Sequence, residues 1–337
     1  MSSSETPPLP KRVLVTGAAG FIGMHMARRL LDGGIKVLGI DNLNAYYDPA
    51  LKMARLETLR GRNGFSFEKL GIEDHAAMQR LFAEFRPDCV VHLAAQAGVR
   101  HSLEAPFDYT RANIDGFLSL IEAARHYPVQ HFIYASSSSV YGSNTKVPFS
   151  EEDPVNHPVS LYAATKRANE LMAETYAHLF AIPMTGLRFF TVYGPWGRPD
   201  MAMWKFTDAI LAGRPIEVFD ETGMSRDFTY IDDIVGAMLR LIPIPPQAEG
   251  ALSPHRILNI GNNRPERLSD FITAIEAACG KAAIKRHLPR QPGDVPATFA
   301  DIAKLQRLTG FAPETSIVDG AERFARWFQD YRMRVAR

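Results

Sequence analysis

Cysteine is nearly missing from this chain: Cys89 and Cys279 are the only two in 337 residues, far apart and outside any Cys-x-x-Cys or Cys/His grouping. Their scarcity argues against a disulfide framework or a zinc site and suits a reducing cytoplasm. Charge of one sign is also lacking. The formal net charge is +1 with no Lys/Arg cluster, so nucleic acid is not an expected partner. No apolar run reaches transmembrane length, and the Ser- and Pro-rich stretch 1–10 has no signal-peptide core. That stretch is expected to be a disordered lead-in, and the chain a soluble cytoplasmic protein with no membrane contact. There is no Gly-x-Ser-x-Gly elbow and no His-Glu-x-x-His pair, so hydrolase chemistry and a metal are not expected.

What is present is a large apolar fraction, 46% of residues, enough for one sizeable α/β domain and a smaller one. The apolar run from Arg12 to Thr16 has the length and β-branching of a buried strand, and Gly17, Gly20 and Gly23 follow it ahead of a helical pattern. In that place Gly17 permits the tight turn, Gly20 lets a pyrophosphate approach the backbone, and Gly23 lets helix and strand pack closely. The helix start offers free N–H groups and a positive dipole end to phosphates. A second strand from Lys36 to Ile40 ends in Asp41, at the distance expected of the acid that binds the adenosine ribose. A carboxylate accepts from a ribose diol and repels a 2′-phosphate, and Asn42 follows it with no arginine. NAD is therefore expected over NADP. The plainer alternative is that Asp41 only caps a loop.

Strand and helix signals then alternate, as in a parallel sheet with crossover helices. Strands are predicted at 65–69, 89–93, 131–136 and 184–190, with helices at 76–85, 108–125 and 161–180. From Thr191 the texture changes: Gly194, Pro195, Gly197 and Pro199 break the periodicity, and later segments are shorter. A helix at 231–242 and a strand at 256–260 are expected to return to the first domain. The expected fold is α/β, a Rossmann-type doubly wound parallel sheet with a smaller α/β substrate-binding lobe. Its boundaries are 11–190 plus about 227–262 for the NAD-binding domain, and about 191–226 and 263–335 for the lobe.

Tyr162 and Lys166 stand four apart on a predicted helix and so share a face. An ammonium beside a phenol stabilises phenolate, which makes Tyr162 a candidate general base with its pKa drawn toward neutrality. Upstream, Ser136, Ser137, Ser138 and Ser139 close a predicted strand, where substrate and nicotinamide are expected to meet. In isolation the first pair reads as an exposed helical pair and the serines as a polar turn. Their order, after a glycine loop and a ribose acid, favours chemistry.

Gly17-x-x-Gly20-x-x-Gly23, His92-Leu93-Ala94-Ala95, the run from Ser136 to Gly142 and Tyr162-x-x-x-Lys166 resemble the extended short-chain dehydrogenase/reductase superfamily. Within it, the strings from Ala95 to Arg100, Pro158 to Lys166, Arg188 to Met201, Arg226 to Ile234 and Gln291 to Thr298 look like UDP-glucuronate 4-epimerases of the NAD-dependent epimerase/dehydratase family. The resemblance runs from about Lys11 almost to the C-terminus. It implies a tightly held NAD, a UDP-sugar substrate and C4 epimerisation through a transient 4-keto sugar, with Tyr162, Lys166 and Ser137 catalytic. Implied cofactor contacts are Gly17, Gly20, Phe21, Ile22, Gly23, Asp41, Asn42, Ile72, Leu93, Ala94, Ala95 and Phe189, besides Tyr162 and Lys166. Implied substrate contacts are Ser137, Ser138, Ser139, Tyr162, Thr191, Arg198, Arg226, Gln291 and Asp294. Asn113 matches a structural asparagine, and helices 108–125 and 161–180 resemble those of a four-helix homodimer interface.

One departure stands out: Gly71 occupies a position where the family usually has Asp, so that residue's contact to the adenine amino group is expected to be missing or replaced by a neighbour. A nucleotide-sugar 4,6-dehydratase or UDP-glucuronate decarboxylase on the same fold is the competing enzyme; these commonly place an acid shortly after the catalytic hydroxyl residue, where this chain has Ser138 and Ser139. A non-catalytic NAD-binding regulator is the competing class. For the substrate carboxylate the expected anchors are Arg198, a planar fork, and Thr191, with pairing of Arg198 to Asp200 as the alternative.

Overall fold

The computed structural model describes residues 9–219, 224–250, 252–288 and 297–335. Six strands alternate with helices in the first part of the chain: β1 (Arg12–Thr16), β2 (Lys36–Asp41), β3 (Phe65–Lys69), β4 (Cys89–His92), β5 (His131–Ser137) and β6 (Met184–Phe189). Then come β7 (Thr191–Tyr193), β8 (Ile216–Phe219), β9 (Ser225–Tyr230), β10 (His255–Ile260), β11 (Pro265–Arg267), β12 (Lys285–Leu288) and β13 (Ala297–Thr298). The first six strands and β10 form one parallel sheet of seven, ordered β10-β6-β5-β4-β1-β2-β3. The chain moves outward from β1 to β3, then returns to β4 and moves the other way. That reversal leaves a crevice beyond the carboxyl ends of β1 and β4, where open α/β sheets bind ligands.

Both faces of the sheet are covered. Val13, Val15, Val37, Val91 and Leu187 point into one apolar layer with Met24, Leu30 and Ile234. Leu14, Leu38, Ile40, Val90 and Phe132 point into the other with Phe82, Phe117 and Leu120. Alternation across the pleat explains why these strands read as continuous apolar runs. β10 pairs with β6, and the helix Ile231–Leu241 packs on the helix Phe21–Asp32.

One predicted helix, 108–125, is not continuous. It is Pro106–Thr110, a π-turn over Arg111–Asp115, and Gly116–His126. Asn113 sits at the widened turn, where its side chain accepts from Gln96 N at 2.9 Å and donates to Gln96 O and Thr165 Oγ1, both at 3.0 Å. Such π-turns commonly mark functional sites. This one ties the segment after β4 to the helix Leu161–Phe180.

The later segments pack over the crevice. β9 is flanked by β11 and β13 and also pairs with β7, while β8 and β12 form a separate pair. Helices Ala202–Leu211, Leu268–Cys279 and Ile317–Val335 support them, with Trp204 edge to face against Phe324, Trp327 and Phe328. Among the described residues no helix is long and apolar enough to cross a membrane.

Candidate active site

β1 delivers the chain into Gly17, whose φ of +71° is open to glycine at little cost. A Cβ there would lie 2.8 Å from Ala94 N, and one on Gly23 would lie 2.0 Å from Gly17 O. Strand, turn and helix therefore touch backbone to backbone. The helix Phe21–Asp32 starts with no side-chain cap and no acid in its first turn. Its free N–H groups and dipole face the crevice, an arrangement that fits a diphosphate. At the end of β2, Asp41 is nearly buried; Oδ1 accepts from Leu43 N at 2.8 Å and Oδ2 from Ala19 N at 3.2 Å. Asp41 thus does cap its loop, yet it also lines the crevice. The glycine turn and this acid suit NAD in shape and charge.

The crevice is a continuous cleft of about 1230 Å³. Gly17, Gly20, Phe21, Ile22, Gly23, Asp41, Asn42 and Ile72 line one part of it. Leu93, Ala94, Ala95, Phe189, Tyr162 and Lys166 continue the wall, followed by Ser137, Ser138, Ser139, Thr191 and Arg198. His92 closes β4 beneath, its Nδ1 paired to Thr16 Oγ1 at 2.8 Å.

Ser160 caps the helix Leu161–Phe180 by accepting from Ala163 N at 3.1 Å, so Tyr162 and Lys166 fall in its first two turns. The fully buried Lys166 donates to Ala135 O at 2.9 Å, and burial lowers its pKa to about 8. Ser137 Oγ donates to Ser139 Oγ at 3.0 Å and accepts from Ser139 N at 3.2 Å. The neighbouring Ser136 turns the other way, to Glu170 at 2.6 Å.

The expectation that Lys166 draws the Tyr162 pKa toward neutrality is corrected here. Burial raises the Tyr162 phenol above its ordinary 10, and the groups pulling it down are Arg198 and a hydrogen bond with Ser137. Lys166 is not among those groups; its ammonium donates to a strand carbonyl.

Arg198 is paired with Asp200, the alternative left open by the sequence: Nε donates to Oδ1 at 2.9 Å and Nη2 to Oδ2 at 2.5 Å. Tyr46 donates to the same Oδ2 at 3.2 Å. Arg226 is the expected site residue that the described cleft lining does not include. It lies on β9 opposite Glu266 and Thr298, with Nη1 donating to Ser225 O at 2.9 Å. Gln291 and Asp294 lie outside the described residues.

Several site residues carried no sequence signal. Buried Arg55 donates to the carbonyls of Ala19, Trp196 and Gly197, joining the glycine turn to the loop that holds Arg198. Lys52 and Gln96 line the cleft, as do the cations Arg100, Lys205 and Arg214. Gln96 and Arg100 fall in the string from Ala95 to Arg100 that carries the resemblance; no motif announces the others, which tertiary packing brings there. Among the described residues no cluster of His, Cys, Asp or Glu is arranged to hold a metal.

This geometry has close relatives. The chain is 48% identical to a probable UDP-glucuronate 4-epimerase of Rhizobium meliloti, over 95% of this chain and 98% of that protein. It is 46% identical to UDP-glucuronate 4-epimerase 3 of Arabidopsis thaliana, over 95% of this chain and 76% of that one. Its fold matches the crystal structure of UDP-glucuronic acid 4-epimerase from Bacillus cereus in complex with UDP-glucuronic acid and NAD. That match has a TM-score of 0.86 and 34% identity, covering 95% of this chain and 99% of that one. Residues 13–261, from the first strand through the returning one, match the NAD dependent epimerase/dehydratase family, and the chain belongs to it.

Proposed function

We propose that this protein interconverts UDP-glucuronate and UDP-galacturonate by NAD-dependent epimerisation at C4. The observation that carries this is the meeting of Tyr162, Ser137 and Arg198 in one cleft whose other part holds the glycine turn and Asp41. NAD supplies the oxidation at C4 and its reversal. Ser137 Oγ holds the sugar O4 beside Tyr162, and it is the phenolate form of Tyr162, favoured against burial by Arg198 and the Ser137 hydrogen bond, that takes the 4-hydroxyl proton and later returns it. Lys166, anchored on Ala135 O and lining the cleft, would offer its ammonium to the nicotinamide ribose of a bound NAD. A 4-keto uronate is a β-keto acid that loses carbon dioxide if its carboxylate bond aligns with the carbonyl. Arg198 and Thr191, with Ser138 and Ser139 opposite, hold the carboxylate out of that alignment.

The remaining assignments belong to the same proposal. The segments from Thr191 onward, apart from about 227–262, form the nucleotide-sugar lobe, and Arg226, Gln291 and Asp294 are its contacts to UDP. The protein is a cytoplasmic homodimer, joined through the helices around 106–126 and 161–180. Exposed apolar side chains there include Phe107, Leu171 and Leu179, and light scattering at micromolar concentration checks the dimer.

Incubating the purified protein with UDP-glucuronate and following it by NMR tests the activity. UDP-galacturonate should form without free NADH. A UDP-pentose as the main product would mark a decarboxylase, and NADH released with each turnover a dehydrogenase.

A further inference from the structure

The acid at the end of β2 explains a preference for NAD, but the structure places a cation beside it. Lys52, on the helix Pro49–Glu57, is 5% exposed, and its Nζ lies 3.9 Å from Asp41 Oδ1. It donates to Asn44 Oδ1 at 2.8 Å, sits 5.1 Å from the centre of the Tyr47 ring, and lines the cleft with Asp41. The other nearby cation, Arg55, is turned inward onto backbone carbonyls and the Tyr47 hydroxyl.

We propose that Lys52 is a second ligand of the cofactor's adenosine ribose, and that Asp41 alone keeps this site from accepting a 2′-phosphorylated cofactor. A ribose diol needs an acceptor for its hydroxyl hydrogens and welcomes a donor to its oxygens. Asp41 offers the first; Lys52, with three N–H donors of which Asn44 takes one, offers the second. With both ionised the pair is close to neutral, and a phosphate dianion entering between them meets the carboxylate. With Asp41 neutral the site is left with one unbalanced ammonium, which is a phosphate site.

The test uses wild type, Asp41→Asn, Lys52→Met and the double variant. Each protein is freed of nucleotide, and binding of NAD and NADP is measured by calorimetry. Lys52→Met should weaken NAD about tenfold, the weight of one charge-assisted hydrogen bond. Asp41→Asn should bind NADP at least about tenfold better than wild type, and adding Lys52→Met should remove that gain. Equal NADP affinity in Asp41→Asn and the double variant would overturn the proposal, as would unchanged NAD affinity in Lys52→Met. Should Asp41→Asn fail to fold, 5′-ADP binding to wild type and Lys52→Met decides: equal affinities would refute the ribose contact. None of these readouts depends on the sugar substrate.

Discussion

Arg198 and Asp200 form a two-point ion pair inside the cleft, and Tyr46 donates a hydroxyl to the same carboxylate. A uronate carboxylate that recruits Arg198 must therefore compete with Asp200, whereas a neutral hexose has no anion with which to do so.

Arg198→Ala should lower kcat/KM for UDP-glucuronate by about 10- to 100-fold, the loss of a charge-assisted contact. Residual activity on UDP-glucose should fall much less, and UDP-pentose should accumulate as the carboxylate loses its restraint. Paired assays on the two sugars with product analysis check this. Equal losses with no pentose would mean that Arg198 only shapes its loop.

Tyr162→Phe should keep bound NAD and substrate while losing roughly 10²–10⁴ in turnover, the usual weight of a general base. Single-turnover kinetics with the nucleotide content measured separates chemistry from binding. Near-wild-type turnover would move the base elsewhere.

Burial holds Lys166 at about 8, below its ordinary 10.5. Between those values the unfolded chain binds the extra proton, so stability should rise with pH, by at most about 1.4 kcal/mol per unit. Below about pH 8 the burial penalty is fully present. Urea titrations of NAD-free wild type and Lys166→Met at pH 7, 8 and 9 read it directly. Wild type should gain on the variant from 8 to 9, and a flat difference would mean that the amine is not desolvated.

The parts legible in the sequence were those fixed by local patterning. β1, β3 and the helix Leu161–Phe180 lie where periodicity and flanking residues put them, and other strand ends differ by about one residue. The break at Asn113 was hidden, because its cause is a side chain bonded to Gln96 and Thr165, distant in sequence. The cleft was legible where motifs bring residues to strand ends. Lys52 and Arg55 were not, since their partners Asp41 and Trp196 are chosen by packing. The same limit misled the view of Lys166, whose spacing from Tyr162 gives a shared face but not the pull of Ala135 O.

Gly71 holds the position that the resemblance assigns to an adenine contact. A Cβ on Gly71 would lie 2.6–2.7 Å from the carboxyl atoms of Glu73, so the Glu73 carboxylate fills the space a side chain at 71 would take. Glu73 also lines the cleft and is the neighbour suited to replace the missing aspartate. Glu73→Ala should weaken NAD binding about tenfold, and Gly71→Asp alone should not strengthen it, because two carboxylates would share one pocket. Calorimetry on both variants checks this; unchanged affinity in Glu73→Ala would leave the adenine without that contact.

Behind the serines lies a buried charge network. Glu170 is 1% exposed and accepts from Ser136 Oγ at 2.6 Å, Arg188 Nε at 2.9 Å, and Arg188 Nη2 and Arg167 Nη1 at 3.0 Å. It clamps β5, β6 and the helix Leu161–Phe180 together one residue from Ser137. Removing the carboxylate leaves the nearly buried Arg188 guanidinium without its counter-ion, a loss that typically costs about 3–5 kcal/mol. Glu170→Ala should fall in that range in urea unfolding. Glu170→Gln, which keeps the shape and one acceptor, should lose less stability. Because Ser136 must then share the one remaining acceptor with Arg188, turnover should drop even where Glu170→Gln remains folded, with NAD still bound. A stability loss below about 1 kcal/mol for Glu170→Ala would show that solvent reaches Arg188 and that the network is not what holds the three elements in register.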